Sequence, residues 1–480
     1  MKRLQTLLLT LLIAAGAGLW HPAATVRAER VLTLNDCLAM TLSYSRDVLK
    51  AEENIHISEG RYVEERAAAL PQFKLEGHAM RAHDATAAVF GLSEDRNDYS
   101  SNLNLTQVVF TWGQVNSAIR AAKHDQAASA CLLEEAKQLA LREAATTFFT
   151  MLLAEELADV ARDNFKQKQR HQDEAQRKFQ AGVAMEYDVL AAQVAMANAE
   201  PEVTRAENDV RLVRDRLRYF LGIQEDFGVR GELASALTPP VPLADVLERA
   251  RLQRPEVAYY AERLGIFKEL VTVAKAGDKP RLEFRGNAGY AKADYTNIDL
   301  SGERWDAGLY FSFPFFDGFR TKGQVAQAKS RVRTVDIEFK KLLDDIALDA
   351  RDASNRVMEA MDIVKSLETT VAQAKRLLEL AEAGYRYDVK THLDVEDAEL
   401  NLRTARSNLA KARREYLVAR TKLLWVMGDR LDVMNLEEVL RAGLKTLDAG
   451  AAPNGAKAQR KDENKVNMKS PKSRQTPGKT

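Results

Sequence analysis

Ala307-Gly308-Leu309-Tyr310-Phe311-Ser312-Phe313-Pro314-Phe315-Phe316-Asp317-Gly318-Phe319-Arg320 is where the chain changes its period. Ala307, Leu309, Phe311, Phe313 and Phe315 share one face of an extended segment, with Gly308, Tyr310 and Ser312 between them. From Arg320 to Ala383 there is then no proline and almost no glycine. That stretch is roughly 96 Å long if helical throughout. The same change of period occurs 206 residues earlier, where Leu103, Leu105 and Thr106-Gln107-Val108-Val109-Phe110-Thr111-Trp112-Gly113-Gln114 lead into a second proline-free stretch ending near Arg177.

Working outward, the shift of 206 holds without a gap: Phe110 falls on Phe316, Asp188 on Asp394, Val189 on Val395 and Gly222 on Gly428. Before the strands it is 209, placing Leu34, Asp36, Leu38, Val48 and Pro71 on Leu243, Asp245, Leu247, Val257 and Pro280. Self-similarity at so long a period is a duplicated structural unit. The three-residue change of register, between Gly77 and Leu103, marks a length-tolerant loop. The expected organisation is a first repeat at 29–222 (strand pair about 72–110, helical hairpin 114–221) and a mixed segment at 223–255. A second repeat follows at 243–428 (strand pair about 281–316, hairpin 320–427), then a mixed segment at 429–449.

The ends differ in kind. Lys2 and Arg3 precede an apolar run from Leu7 to Leu19, and Val26-Arg27-Ala28 suits cleavage, so 1–28 reads as a secretory signal. The run is shorter than a membrane-spanning helix needs. The segment 450–480 carries eight Lys/Arg against Asp462 and Glu463 and hardly any apolar residues, the composition of a disordered tail. With the tail and signal cations set aside, the formal charge of +1 becomes about −8 for the folded part. For an exported chain this excludes nucleic acid as the expected partner. Cys37 and Cys131 are too few for a disulfide scaffold and read as packing residues, with pairing left open.

In the second long stretch Val325, Ala328, Val332, Val335, Phe339, Leu342 and Ile346 form an apolar seam. It slips by one residue to Ala350 and resumes through Ala353, Val357, Ala360, Val364, Leu367, Val371, Ala374 and Leu378, a heptad track with one stutter. Its many alanines favour close packing in a wall of helices. Shorter returning helices at Glu186–Leu221 and His392–Met427 complete two antiparallel hairpins.

Leu282, Phe284, Gly286, Ala288 and Tyr290 form another alternating run, matched by Phe73, Leu75, Gly77 and Ala79. Runs of about ten alternating residues are long enough to cross a bilayer as strands and leave little hydropathy signal. A small sheet packed on the helices is the alternative. If the strands do span a membrane, four per chain cannot close, and no unpaired edge survives in lipid. Three chains would supply twelve strands and twelve hairpin helices.

Taken together, these residues resemble the TolC family of outer-membrane efflux and secretion channels, over about Leu32 to Asp448. The duplication carries the resemblance, with Leu70-Pro71-Gln72-Phe73 and Lys279-Pro280-Arg281-Leu282, the two strand-to-helix segments, and the turns Phe179-Gln180-Ala181-Gly182-Val183 through Tyr187-Asp188-Val189-Leu190 and Tyr385 through Leu393-Asp394-Val395. The fold class it implies is mainly α with membrane β: a homotrimer with a twelve-stranded barrel in outer-membrane lipid and a helical tunnel of roughly 100 Å in the periplasm. It implies passive conduction, a periplasmic adaptor (membrane fusion) protein at the tip, and an inner-membrane transporter of RND, ABC or MFS type.

The resemblance also places a gate. Asp394 and Asp397 match paired acids on the inner returning helix, and symmetry would set six carboxylates in a ring that favours cations and raises some of their pKa values. Tyr385 and Lys390 match an aromatic and a basic residue that tie the tip shut, and Asp188 the acid they engage. Lysine lacks the bidentate fork of the family's usual arginine, so a weaker latch is expected. Gly182, Val183, Asp388 and Val389 would be the turns that meet the adaptor. Asp388 stands where the first turn has Gly182, so the two turns are expected to differ.

No metal-ligand spacing, nucleophile elbow or phosphate loop is present, so neither catalysis nor a cofactor is expected. The competing class is a periplasmic adaptor or structural coiled-coil protein. An adaptor normally carries one hairpin inserted in β-rich domains, not two hairpins each led by a strand pair.

Overall fold

A computed structural model describes residues 30–234, 237–295, 298–387 and 389–431. The expected signal, almost all of 429–449, the basic tail and Asp388 lie outside the described residues. The order is β1 (Arg30–Leu32), α1 (Leu34–Tyr44), α2 (Arg46–Ala67), β2 (Gln72–His83), β3 (Asp95–Phe110), α3 (Gln114–Gln180) and α4 (Glu186–Leu221). It continues with β4 (Phe227–Val229), α5 (Leu243–Gln253), α6 (Pro255–Lys275), β5 (Arg281–Tyr295), β6 (Asp299–Ser312), α7 (Arg320–Arg386) and α8 (His392–Met427). Short β1 and β4 pair in parallel beside the helices.

Each repeat builds the same unit because the same local signals recur. The two long helices are both 67 residues, about 100 Å, and the two returning helices are both 36. Each long helix is led in by a left-handed pair, Trp112-Gly113 or Gly318-Phe319, which reverses the strand's direction. Strand β6 stops at Ser312, four residues short of the expected limit, because Pro314 has no N–H to donate to a ladder.

Four helices stand abreast at every level. Near the strands the row is α2, α3, α6, α7; near the hairpin turns it is α4, α3, α8, α7. Helices α3 and α7 run the whole way, whereas α2 stacks on the end of α4, and α6 on the end of α8. Both stacks close on a glycine at the same position of the repeat. Gly222 has φ +66°, and a Cβ there would lie 2.9 Å from Cβ of Tyr44. Gly428 has φ +76°, and its Cβ would lie 2.8 Å from the Arg254 nitrogen. The stutter in α7 falls at this level. Above it Phe339 stacks on Tyr260 of α6; below it Ala350, Ala353 and Val357 are buried with Tyr416 and Leu423 of α8. The seam slips because its partner changes.

The largest cores lie at the same height. One gathers Leu34, Cys37 and Leu38 against Phe148, Phe149 and Leu217, and the other gathers Val246 of α5 against α7 and α8. Trp425 lies between two guanidinium groups, Arg142 at 4.4 Å and Arg254 at 4.7 Å from its ring centre. Buried Arg254 also pairs with Glu256 at 2.7 Å and Asp349 at 3.4 Å, tying the start of α6 to α7. Both cysteines are free; burial pushes the Cys37 thiol up to about 12.

The sheet runs β2-β3-β5-β6, antiparallel throughout. Its register puts Phe73, Leu75, Leu103, Leu105, Phe284, Ala288, Trp305, Ala307, Leu309 and Phe311 on one face. The other face carries Lys74, Glu76, Asn102, Asn104, Glu283, Arg285 and Arg304, with Asn104 donating to Glu76 at 2.9 Å and Arg285 pairing with Glu283 at 2.7 Å. Over this stretch one face is apolar and the other polar and internally paired, the alternation of a membrane barrel wall; farther from the helices the first face turns polar, with Arg81, Asn97, Lys292 and Glu303. Among the described residues no further strand lies beside the edges β2 and β6.

The glycine junctions make a differential prediction. Gly428→Ala combines a left-handed backbone with a clash on backbone atoms and should cost about 2–3 kcal/mol in denaturant unfolding. Gly182→Ala, where φ is +74° but a Cβ meets nothing within 4 Å, should cost only about 1 kcal/mol. Equal losses would show that the α6–α8 stack is not under tight packing.

Candidate functional site: the helical turns at the tip

The end of the hairpins farthest from the sheet gathers the sequence-derived residues. The first turn closes with Val183 N–H donating to the Lys178 carbonyl at 3.0 Å. The second closes with Val389 N–H donating to the Gly384 carbonyl at 2.9 Å. These positions coincide at the 206 shift, so both turns make the same i to i−5 closure. Among the described residues the two turns also differ at the start of the returning helix.

There Thr391 and Asp394 form a complete capping box. The Thr391 N–H and hydroxyl donate to Oδ2 of Asp394 at 2.9 and 2.8 Å, and the Asp394 N–H returns to the hydroxyl at 3.2 Å. Lys390 Nζ donates to Oδ1 at 3.1 Å. The Thr391 bonds, followed by Lys390, hold the Asp394 carboxyl down to about 2. Within one chain Asp394 is therefore a helix cap with its own counter-ion, and its pKa moves opposite to the expectation from ring repulsion. In the first copy Met185 replaces the threonine, and only Asp188 contributes, accepting from the Met185 N–H at 3.0 Å.

Asp188 thus caps its own helix, and the structure does not bring it to Tyr385 or Lys390 within the chain. Lys390 is occupied by Asp394, and the Tyr385 hydroxyl accepts from Lys178 Nζ at 3.2 Å, with that ammonium 5.5 Å from its ring centre. Hydrogen bonds to Glu174 and Tyr385 raise the Lys178 pKa. Asp397 is exposed and, among the described residues, has no hydrogen-bond or ion-pair partner.

A second polar contact joins the two hairpins, and sequence reasoning missed it. Lys168 of α3 pairs with Glu396 of α8 at 2.9 Å, and His171 pairs with Glu399 at 3.0 Å. His171 and His392 lie 5.1 Å apart by ring centres, with Tyr385 5.8 Å from His392. Burial works against the charge of Glu399, but the His171 hydrogen bond and Lys168 hold its pKa below the ordinary value. Glu396 is half-buried as well as paired. A signal was present for the first pair: Lys168 stands where the second copy has the seam residue Ala374.

The outermost surface is apolar. Val183, Tyr187, Tyr387 and Val389 are each at least three-quarters exposed, on both turns. Exposed patches of this kind mark protein contact surfaces. Among the described residues no cluster of His, Cys, Asp and Glu has the form of a metal site.

The model of the family described as "Outer membrane efflux protein" matches residues 38–223 and 246–429, the two repeats in turn. Outer membrane protein TolC of Vibrio cholerae is 23% identical over 394 residues, covering 79% of this chain and 87% of that protein. Alkaline protease secretion protein AprF of Pseudomonas aeruginosa is 22% identical, covering 78% and 79%. The Campylobacter jejuni CmeC outer membrane channel superposes with a TM-score of 0.74 at 19% identity, covering 85% of this chain and 89% of that one. With the family model matching most of both repeats, the chain belongs to the outer membrane efflux protein family and resides in the outer membrane.

Proposed function

We propose that three copies close their four-stranded sheets into one twelve-stranded barrel and pack their hairpins into a periplasmic tunnel. The assembly serves as the passive outer-membrane conduit of an efflux or type I secretion system. The observation that carries this reading is the sheet itself: one apolar face, one polar face and two unpaired edges. In lipid those edges must be satisfied by identical neighbours, with β6 of one chain beside β2 of the next. The exposed apolar turns at Gly182, Val183 and Val389, with Asp388 beside them, are the surface for a periplasmic adaptor. That adaptor links the tunnel to an inner-membrane transporter of RND, ABC or MFS type, which selects the substrate.

The gate has two kinds of carboxylate. Asp397 is free to act on passing ions, whereas Asp394 acts by holding Lys390 and the first turn of α8 in place. Lys178–Tyr385 and Lys168–Glu396 brace α3 against the inner hairpin. Tyr385 and Asp188 thus contribute to closure on different helices.

In a planar bilayer, Asp397→Ala should lower cation preference while leaving the fraction of time closed unchanged. Asp394→Ala should lower it too and raise the open fraction several-fold; identical behaviour of the two variants would refute this division. The pH response follows from the cap. A carboxyl lowered to about 2 from an ordinary 3.8 contributes its stabilisation above about pH 4 and loses it as pH falls toward 2. Acid opening of the wild-type channel should begin only below about pH 4, and an opening midpoint between pH 5 and 7 would assign control to another group. Fractionation tests the assembly: a membrane-inserted, heat-dissociable trimer is expected, and folded protein in the soluble periplasm would overturn the conduit.

A further inference from the structure

Just beneath the sheet, the groove between α6 and α7 is lined by Lys275, Lys279, Lys322, Lys329 and Arg333, and continues past Lys268. It is an open trough of about 670 Å³ with Asp278 as its one acidic wall residue. Lys279 pairs with Asp278 at 3.4 Å. Among the described residues, Lys268, Lys275, Lys329 and Arg333 have no ion-pair, hydrogen-bond or ring partner, and Lys322 has only an aromatic one. Five cations in one groove without internal counter-ions leave a strong local positive potential.

The aromatic contact fixes which way the groove faces. Lys322 Nζ lies 5.8 Å from the ring centre of Phe319, whose ring packs edge-on against Phe316 at 5.7 Å. Phe315, Phe316 and Phe319 are all more than two-thirds exposed, at the end of the strand that carries Leu309 and Phe311 on the apolar face. Such a run of exposed rings belongs at a membrane interface, not in an aqueous lumen. The groove therefore opens outward, and its cations extend about 20 Å along α7 from the bilayer surface.

The duplication supplies an internal comparison. At the repeat shifts, Lys268, Lys275, Lys279, Lys322, Lys329 and Arg333 correspond to Glu59, Arg66, Leu70, Asn116, Lys123 and Ala127. The same trough between α2 and α3 thus holds two cations and an acid. Shared architecture does not require the charge, so the charge is particular to the second groove.

We propose that the α6–α7 groove is a headgroup site for anionic phospholipid of the periplasm-facing leaflet, one per protomer. Lys275, Lys279 and Lys322 meet the phosphate at the level of the phenylalanine belt, their stems lying along the apolar surface. Lys329 and Arg333 draw the headgroup downward along α7. The site rests on the outer-membrane barrel reading.

The test uses full-length trimer reconstituted in mixed phosphatidylcholine and phosphatidylglycerol vesicles, re-extracted, and analysed for retained lipid by native mass spectrometry. Replacing Lys275, Lys279, Lys322 and Lys329 together by glutamine should cut retained phosphatidylglycerol about tenfold, with phosphatidylcholine unchanged. The Arg66→Gln/Lys123→Gln control in the first groove should retain wild-type levels, and a quadruple Lys→Arg variant should also retain them. Wild-type retention by the glutamine variant, equal loss in the first-groove control, or complete release of lipid by excess inorganic phosphate would overturn the proposal. Failure of the barrel reading would look different, as protein that never enters the vesicles.

Discussion

The constraint on which this molecule depends is that a peptide group in lipid must be hydrogen-bonded by another peptide group. The four-stranded sheet meets that demand for β3 and β5 and leaves β2 and β6 short. A soluble protein would cover those edges with a loop, a charge or a bulge. Here the apolar face continues to both edges, through Phe73 and Leu75 on β2 and Leu309 and Phe311 on β6. A single chain is thus an incomplete object in the membrane. In the proposed trimer the helices inherit the consequence, because the rotation that would close the barrel would also arrange α3, α7 and their partners around the same axis.

The equator then carries the load of alignment. One helical column per repeat is segmented, and its two segments meet at Gly222 in the first repeat and Gly428 in the second, where only a residue without a Cβ lets one helix end against another. Arg254 and Arg142 on either side of Trp425 fix the azimuth of α8 relative to α3 and α6. The same height marks the stutter in α7 and the two largest cores. Above and below this level the packing is thin, a single wall of alanine-rich helices, so the cores at the equator anchor a structure that has no central interior.

Much of this was legible in the chain, because duplication turns one sequence into two independent readings of the same unit. The turn closures, the strand pairs and the paired glycines all sit at the repeat shifts. What sequence hid was the choice of partner. An apolar seam tells which face of a helix is covered but not by what, so the slip at Ile346 and Ala350 looked like a defect of supercoil when it is an exchange of neighbours. For the same reason the sequence points Asp188 toward Tyr385 and Lys390 and Asp394 toward a ring of carboxylates, whereas within one chain each carboxylate caps its own helix. The Lys168–Glu396 and His171–Glu399 contacts link residues 228 positions apart, and nothing local to either helix announces them.

The equal lengths of α3 and α7, and of α4 and α8, make the helical part a standard of length. Removing one residue from one long helix would shorten it by about 1.5 Å and turn every later side chain by about 100°, taking its seam out of contact. The change would also leave one hairpin tip above its twin. Only a matched change in both repeats, in steps of about two turns, preserves face and height together. The outer loop escapes this coupling, which is why a three-residue difference is tolerated there and the alignment of Phe110–Gly222 with Phe316–Gly428 is free of gaps. The length of the helical part is thereby written twice in the chain, and neither copy is free to drift alone.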